Sequence, residues 1–252
     1  MTKLKKLLFF LVLIFFLANN IFGQVDERSS QVNLEQVAKN QEKYLQRIRK
    51  ELHKFPEVRF ETKRTRTIIK REINNLLELD GVNNCETSME EEAGGILVKF
   101  TFNPSYANVA LRADFDALPI TENTDLEFAS QNEGVMHACG HDIHTAWLLA
   151  TMRAIAMGQV QPLCNIIFIF EDGEENPITD PGSKLIVDNG KLFSVSEIYG
   201  LHIWAHPNCE PGVFYTRSGA LMGNSGRLGI YIHCAGGHVA EPHIGSNGLR
   251  IN

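Results

Sequence analysis

The chain has 252 residues, of which 44% are hydrophobic and 21% are charged, so its length and composition suit an ordinary globular core. The formal net charge is -6, and subtracting the three lysines of residues 1–24, a segment without acidic residues, takes it to -9. This acidic balance argues against nucleic acid as a partner.

Residues 1–24 have the pattern of a signal peptide. Three lysines precede an unbroken apolar run over residues 7–18, which is short for a membrane span but suits a signal-peptide core. We therefore expect cleavage near Gly23 and export, periplasmic or secreted; an uncleaved membrane anchor is the alternative. No later stretch has the length and apolarity of a membrane span. N-terminal sequencing of the native protein would test this, because the mature chain should begin near Gln24.

Helical and strand-like patterns alternate along the rest of the chain. Helices are predicted over residues 33–54, 65–79 and 182–189, the first two from apolar residues at helical spacing. Strand-like runs cover residues 95–102, 107–112, 163–170 and 196–203. This alternation predicts an α/β domain with helices on the faces of a sheet. In such sheets, functional residues collect just beyond the carboxyl ends of the strands.

The segment Met-His-Ala-Cys-Gly-His-Asp-Ile-His-Thr, residues 136–145, concentrates groups that can carry chemistry. It holds one thiol, three imidazoles and one carboxylate, those of Cys139, His137, His141, His144 and Asp142. Gly140 can make a tight turn, and the apolar residues that follow predict a largely buried helix, which Asp142 is well placed to cap. The cluster therefore lies where a turn enters a helix.

Three interpretations of this cluster are open. It could be a capped helix start with incidental histidines, a cysteine nucleophile with a nearby histidine base, or a metal site. Thiolate and imidazole are borderline-soft ligands that suit zinc or a similar divalent ion. Spacing alone does not separate the last two interpretations. A metal would need further ligands, including carboxylates, elsewhere in the chain.

Acidic residues and histidines follow three of the predicted strands. Asp114 and Asp116 follow the strand that ends at residue 112, and their spacing of two allows both side chains to point to one side. Two acidic pairs follow the strand that ends at residue 170, and they are Glu171-Asp172 and Glu174-Glu175. For the first pair we expect a solvated loop, whereas the position of the second pair favours a functional site. His202 is expected to close the last strand, with His206 just beyond it.

The cysteines show no disulfide framework. There are five of them, Cys85, Cys139, Cys164, Cys209 and Cys234. An odd number in an exported protein leaves at least one unpaired, and metal binding would be one reason for Cys139 to stay free. Cys164 lies in an apolar run, where we expect a role in the core.

Several motifs together resemble one known family. They lie at residues 52–57, 111–120, 136–142, 174–175, 200–204, 217–222, 236–238 and 242–243. They resemble the metal-dependent amidohydrolases of the M20 peptidase family, in the branch of N-acyl-amino-acid, hippurate and indole-acetyl-amino-acid hydrolases. The resemblance implies a zinc-peptidase-like catalytic domain over residues 25–216, with helices on both faces of a mixed sheet. It further implies that residues 217–252 begin a small α+β lid, through which a full-length form would make a homodimer.

The resemblance also implies a role for each site residue. Two divalent ions, Mn²⁺ or Zn²⁺, would be bridged by Cys139, and three further ligands would be His141, Glu175 and His202. Glu174 would be the general base that activates a water to hydrolyse the amide of a small N-acyl amino acid. Asp116 would orient the site. His238, from the lid, would reach a partner subunit's site and steady the developing oxyanion.

Two departures from the family pattern affect these expectations. The family has Pro-Ala before the glutamate pair, where this chain has Asp172-Gly173, which is expected to add charge and flexibility. The family's lid also runs beyond Asn252 and returns with closing strands and one more metal-binding histidine; here the lid is expected to show only a strand at residues 227–233. A non-catalytic metal-binding remnant is therefore the rival hypothesis. A cysteine-dependent hydrolase is the third, and metal analysis would discriminate among them.

Overall fold

A computed structural model of the chain describes residues 33–79, 82, 84–175, 180–210, 212–223, 229–241 and 243–245. The predicted signal peptide lies outside these residues and stays a prediction. The chain divides into two compact units, Met1–Phe214 and Tyr215–Asn252. Within the described part of the chain, no helix is both long and apolar enough to cross a membrane.

One five-stranded mixed sheet forms the centre of the first unit. Its strands are β1 Glu86–Glu92, β2 Gly95–Thr101, β3 Asn108–Asp114, β4 Asn165–Glu171 and β5 Val195–Gly200. They lie in the order β1-β2-β4-β3-β5. β4, β3 and β5 are parallel neighbours, whereas β2 pairs antiparallel with both β1 and β4. The three parallel strands therefore end at the same edge of the sheet, and the predicted mixed sheet is confirmed.

Helices flank both faces of this sheet. They are α1 Leu34–Lys54, α2 Lys63–Leu77, α3 His141–Ala156 and α4 Gly182–Asp188. β4 is buried throughout, and its side chains alternate between two apolar clusters. Phe168 and Phe170 join the larger cluster with α1, α2 and α3, whereas Ile167 and Ile169 join a smaller cluster with Ile186 of α4. Helices on both faces, as predicted, thus bury both sides of the central strand.

One local prediction about this unit needs correction, and one strand was not predicted. Asp142 does not cap α3; the N-cap position is Gly140, which has a left-handed backbone (φ 87°), and the helix has no side-chain cap among the described residues. Asp142 is instead buried in the first turn of α3. β1 was not predicted, because its sequence Glu-Thr-Ser-Met-Glu-Glu-Glu shows no apolar alternation. It is an edge strand with exposed side chains at six of its seven positions, and charge on such an edge discourages further pairing.

The second unit contains neither a helix nor a strand within its described residues. The strand predicted at residues 227–233 is therefore wrong over residues 229–233. An extended segment becomes a strand only when another segment pairs with its backbone N–H and C=O groups, and the described part of this unit supplies no such pairing.

Candidate metal centre

The candidate site lies where the parallel strands end and α3 begins. Asp114 is the last residue of β3, and Asp116 follows it. The Glu174-Glu175 pair lies in the loop after β4. His202 lies two residues beyond β5, which ends at Gly200, so the prediction that His202 closes the strand is wrong. The turn before α3 adds the thiol of Cys139 to the same edge, and the first residue of α3 adds the imidazole of His141.

A thiol and two imidazoles form the first part of the site. Cys139, His141 and His202 each offer a ligand atom, and these atoms all lie within 4.8 Å of one another. The Sγ of Cys139 is 3.3 Å from Nε2 of His202. Contacts with His141 and then His202 lower the pKa of the Cys139 thiol, which favours the thiolate. This thiolate form is the one that binds metals and attacks electrophiles.

Gly140 allows the turn and the His202 loop to approach each other. A Cβ at this position would lie 2.1 Å from Cδ1 of Ile203, and the positive φ is itself unfavourable for other residues. On the other side of its ring, His202 directs Nδ1 toward the backbone carbonyl of Ile203, which leaves Nε2 facing the thiol. The geometry of the thiol–imidazole pair thus depends on this glycine.

Carboxylates surround the buried imidazole of His141. Its Nε2 lies 3.9 Å from Oε2 of Glu174, 3.8 Å from Oε1 of Glu175 and 3.6 Å from Oδ1 of Asp114. Its Nδ1 lies 3.3 Å from Oδ1 of Asp116. Neither ring nitrogen has a hydrogen-bond partner among the described residues. Burial lowers the pKa of His141, but Asp116, the Cys139 thiol and Asp114 outweigh it and raise the pKa to about 11. The site therefore attracts positive charge strongly.

Asp116 fixes the backbone that carries both glutamates. Its Oδ1 accepts the N–H of Glu174 at 3.2 Å, and its Oδ2 accepts the N–H of Glu175 at 3.0 Å. Burial, followed by the charge of Asp114, raises the pKa of Glu174 above its ordinary value. The Glu174 side chain remains 42% exposed, so it is open to a small molecule.

His144 has a different position from the other imidazoles of the segment. Its Nδ1 lies 2.6 Å from Oδ1 of Asp114, and its Nε2 accepts the backbone N–H of Ile203 at 3.0 Å. Burial lowers the pKa of His144, which favours the neutral ring that this donor–acceptor arrangement requires. Although Asp114, His141 and His144 lie close enough to hold an ion, both His144 nitrogens are engaged. His144 therefore connects Asp114 to the His202 loop.

Glu171 and Asp172 are buried, so the prediction of a solvated loop is wrong for both. They are 1% and 0% exposed. Glu171 accepts from the guanidinium of Arg112 at 2.6 Å, and Asp172 pairs with Arg66 at 2.9 Å. These partners come from β3 and α2, more than fifty residues earlier, so the local sequence gave no sign of them.

A second buried cluster lies behind the turn and was not predicted. His53, at the end of α1, places Nδ1 2.8 Å from Oδ2 of Asp142 and Nε2 3.2 Å from Oε1 of Glu122. Arg49 donates to the same Asp142 oxygen at 3.2 Å. Burial lowers the pKa of His53, but Asp142 and then Glu122 outweigh it, and the net shift is upward. His137 is also buried, and among the described residues its ring nitrogens have no partner.

We expect His53→Gln to destabilise the protein more in mild acid than in base. The folded-state pKa lies above the unfolded value, so the stabilising ion pairs are fully present below about pH 6.5 and are lost as the pH rises through the folded pKa. A hydrogen bond to a charged group contributes about 1.5–3 kcal/mol. Urea unfolding at pH 5.5 and 9, with a chelator present, would measure this difference. The exposed His206→Gln is the control; an equal loss at both pH values for His53→Gln would contradict the assignment.

Comparison with known proteins identifies the family. The sequence profile of peptidase family M20/M25/M40 matches residues 110–246, which include every strand-end residue discussed above. The chain belongs to this family. The family resemblance seen in the sequence motifs is thereby confirmed, and the sheet and flanking helices are those of an M20 catalytic domain.

Relatives of this M20 protein include named deacetylases. The chain is 36% identical over 218 residues to an N-acetyldiaminopimelate deacetylase of Leuconostoc mesenteroides, covering 84% of this chain and 53% of that protein. It is 34% identical over 219 residues to an N-acetyl-L-cysteine deacetylase of Bacillus subtilis, covering 87% and 49%. The chain thus spans about half the length of the curated relatives it matches.

A solved structure of the same family also matches. It is a dinuclear metal-binding peptidase from Bacillus subtilis, 32% identical, with a TM-score of 0.56 over 65% of this chain and 44% of that one. The metal-binding and catalytic roles expected of residues in the first unit stay predictions, although the structure brings their side chains close together. His238 belongs to the second unit, so its role stays a prediction.

Proposed function

We propose that this chain supplies the metal-binding catalytic part of a hydrolase that cleaves the amide bond of small N-acyl amino acids or related amides. The observation that carries the proposal is the meeting of a thiol, two imidazoles and two adjacent carboxylates at one sheet edge. Two relatives are named as deacetylases of N-acetylated compounds, which supports the substrate class.

The donor set fits a pair of divalent ions. His141 is buried, and neither of its ring nitrogens has a hydrogen-bond partner among the described residues; the Cys139 thiol has a lowered pKa. The surrounding carboxylates raise the pKa of His141, and a cation would satisfy the same negative charge. Cys139, His141, Glu175 and His202 would hold the ions. Thiolate and imidazole suit zinc, while carboxylates also admit manganese. Bound ions would lower the pKa of a water to about 7 and polarise an amide carbonyl.

Glu174 would handle the proton in this reaction. Its raised pKa brings it closer to the operating pH, where one carboxylate can both accept and return a proton. Glu174 would take the proton of the attacking water and then deliver it to the leaving amine. Asp116, which binds the backbone of Glu174 and Glu175, would keep the carboxylates in place. His238 of a partner subunit in a dimer would donate to the oxyanion.

A cysteine-dependent hydrolase is the second candidate. The 3.3 Å contact between Cys139 and His202, together with the lowered thiol pKa, resembles a nucleophile beside its base. The same thiol cannot be both a bridging metal ligand and a free nucleophile. Sensitivity to chelation therefore separates the two candidates.

Metal analysis combined with an amidase assay tests the proposal. The protein without residues 1–24, in a form extended to the length of its curated relatives, would be purified, dialysed against manganese or zinc, and assayed with several N-acetyl amino acids. We expect about two ions per chain and hydrolysis that a chelator abolishes. Failure to retain metal would contradict the proposal. Turnover that persists with a chelator but stops with iodoacetamide would favour the cysteine mechanism, and metal binding without turnover would identify a non-catalytic protein.

A further inference from the structure

Asp172 is fully buried and fully paired. Its Oδ1 accepts the backbone N–H of Phe60 at 3.0 Å, and its Oδ2 accepts the hydroxyl of Thr62. The guanidinium of Arg66 donates to the same Oδ2 through Nε at 3.1 Å and Nη2 at 2.9 Å. A buried charge is tolerated only with such complete pairing. The contacts join the end of β4 to the segment that leads into α2.

Arg66 also connects this carboxylate to the β1–β2 hairpin. It donates to the backbone carbonyls of Glu92 at 3.1 Å and Ala93 at 3.0 Å. The backbone N–H of Asp172 in turn donates to the carbonyl of Gly94 at 3.0 Å. Asp172 is therefore held through its side chain and its backbone by two separate parts of the chain.

Gly173 lies against the ring of Phe60. A Cβ at Gly173 would be 2.6 Å from Cζ of Phe60, and Gly173 has φ 74°. Phe60 is itself the one non-glycine residue with a positive φ, 55°, among the described residues. A bulky residue keeps this backbone only when its surroundings impose it, and here the Phe60 N–H is bound by Asp172. The Asp-Gly pair thus fixes the loop, contrary to the flexibility expected from its sequence.

The segment at residues 57–62 contacts the site from a second direction. The carbonyl of Glu57 accepts the N–H of Ala117 at 2.8 Å. Ala117 follows Asp116, whose carboxylate binds the backbone of Glu174 and Glu175. The loop that carries both glutamates is therefore held at two points. Asp172 anchors it just before the glutamates, and the Asp116 carboxylate binds the backbone of the glutamates themselves.

We propose that Asp172 is a positioning residue, which acts through this loop to place Glu174 and Glu175 against His141. Asp172 would thus have a role at the position where the family pattern has the proline of Pro-Ala. The effect of Asp172 on metal binding rests on the proposed function. The anchoring of the loop by Asp172 does not, and it can be tested in metal-free protein.

Hydrogen exchange in metal-free protein tests the anchoring. In Asp172→Asn we expect amides of residues 172–175 to exchange at least about tenfold faster, because their opening becomes local. The matched control is Glu72→Gln, which alters another buried carboxylate, one that is paired with Arg47 and Arg71. Glu72→Gln should lower global stability without accelerating this segment selectively. If Asp172→Asn does not fold, Thr62→Val removes one donor to the same carboxylate and should accelerate the segment by a smaller factor.

Cobalt binding tests the consequence. We expect Asp172→Asn to weaken Co²⁺ binding about 10- to 100-fold, as loss of a residue that orients a ligand does, with the thiolate-to-cobalt absorption of Cys139 retained. Glu72→Gln should bind like the unsubstituted chain. Unchanged exchange of residues 172–175 in Asp172→Asn, or the same acceleration in Glu72→Gln, would overturn the inference. Absence of cobalt binding by the unsubstituted chain would count against the proposed function instead.

Discussion

Replacing Cys139 with alanine should abolish tight binding of divalent metal, whereas replacing Cys164 should leave it intact. The Cys139 thiol lies within 4.8 Å of ligand atoms on His141 and His202, and those contacts lower its pKa. Cys164 is only 3% exposed, directly before β4, and burial raises its pKa to about 11. A cysteine binds a metal as the thiolate, so the thiol must first lose its proton, and the two cysteines should therefore behave oppositely.

Cobalt absorption and metal content would measure the difference. The unsubstituted chain and Cys164→Ala should both show a thiolate-to-cobalt band and the same metal stoichiometry, whereas Cys139→Ala should lose the band. Cys164→Ala should also be less stable, by about 1–2 kcal/mol, because it leaves a small gap beneath the sheet. The stability loss makes Cys164→Ala a stringent control. Equal metal content in both variants would show that the ligand assignment is wrong.

Segments with strong periodicity were predicted well. The prediction of residues 33–54 as a helix agrees with α1, Leu34–Lys54, whose N-cap Asn33 accepts the N–H of Gln36. The apolar run of β4 was placed to within two residues at its start and one at its end. Such segments form because they bury a continuous apolar surface, and this requirement is visible in the local sequence.

Features that depend on distant partners were not predicted. Asp142 looked like a helix cap, but His53 and Arg49 of α1 bind it, about ninety residues away. Glu171 and Asp172 looked like a polar loop, because the arginines that allow their burial lie on other elements. A charged residue can be placed only when the sign and position of its partner are known. The sequence around one residue does not contain that information.

The candidate site was predicted in part: the sequence indicated its residues but not the contacts among them. The cluster that contains Cys139 and His141 was visible because its members share one short segment, and the rule that residues gather beyond strand ends pointed to Asp116, Glu174, Glu175 and His202. The family resemblance then supplied the role expected of each residue. These signals indicated which kinds of side chain would meet at the site. They did not indicate that Asp116 binds the backbone N–H of both glutamates, or that His144 connects Asp114 to the His202 loop.

Replacing each of the two adjacent glutamates with glutamine should have a different effect, because the two side chains have different roles. Glu174→Gln should keep the metal and lose about 10²- to 10⁴-fold in turnover, because an amide cannot accept the proton of the attacking water. Glu175→Gln should lose metal first and activity as a consequence. Metal content and kcat would be measured side by side, in an active form extended to the length of its curated relatives.

The structure gives physical reasons for this separation. Glu174 is the more exposed of the pair, 42% against 23%, and its raised pKa favours proton exchange, so activity should also fall as the pH drops below that pKa. The exposed Glu42→Gln on α1 is the control and should change neither quantity. A Glu174→Gln variant that kept most of its rate would move the general-base role elsewhere, most directly to His202 beside the thiol. In that case the second candidate, the cysteine mechanism, would gain the support that the metal mechanism lost.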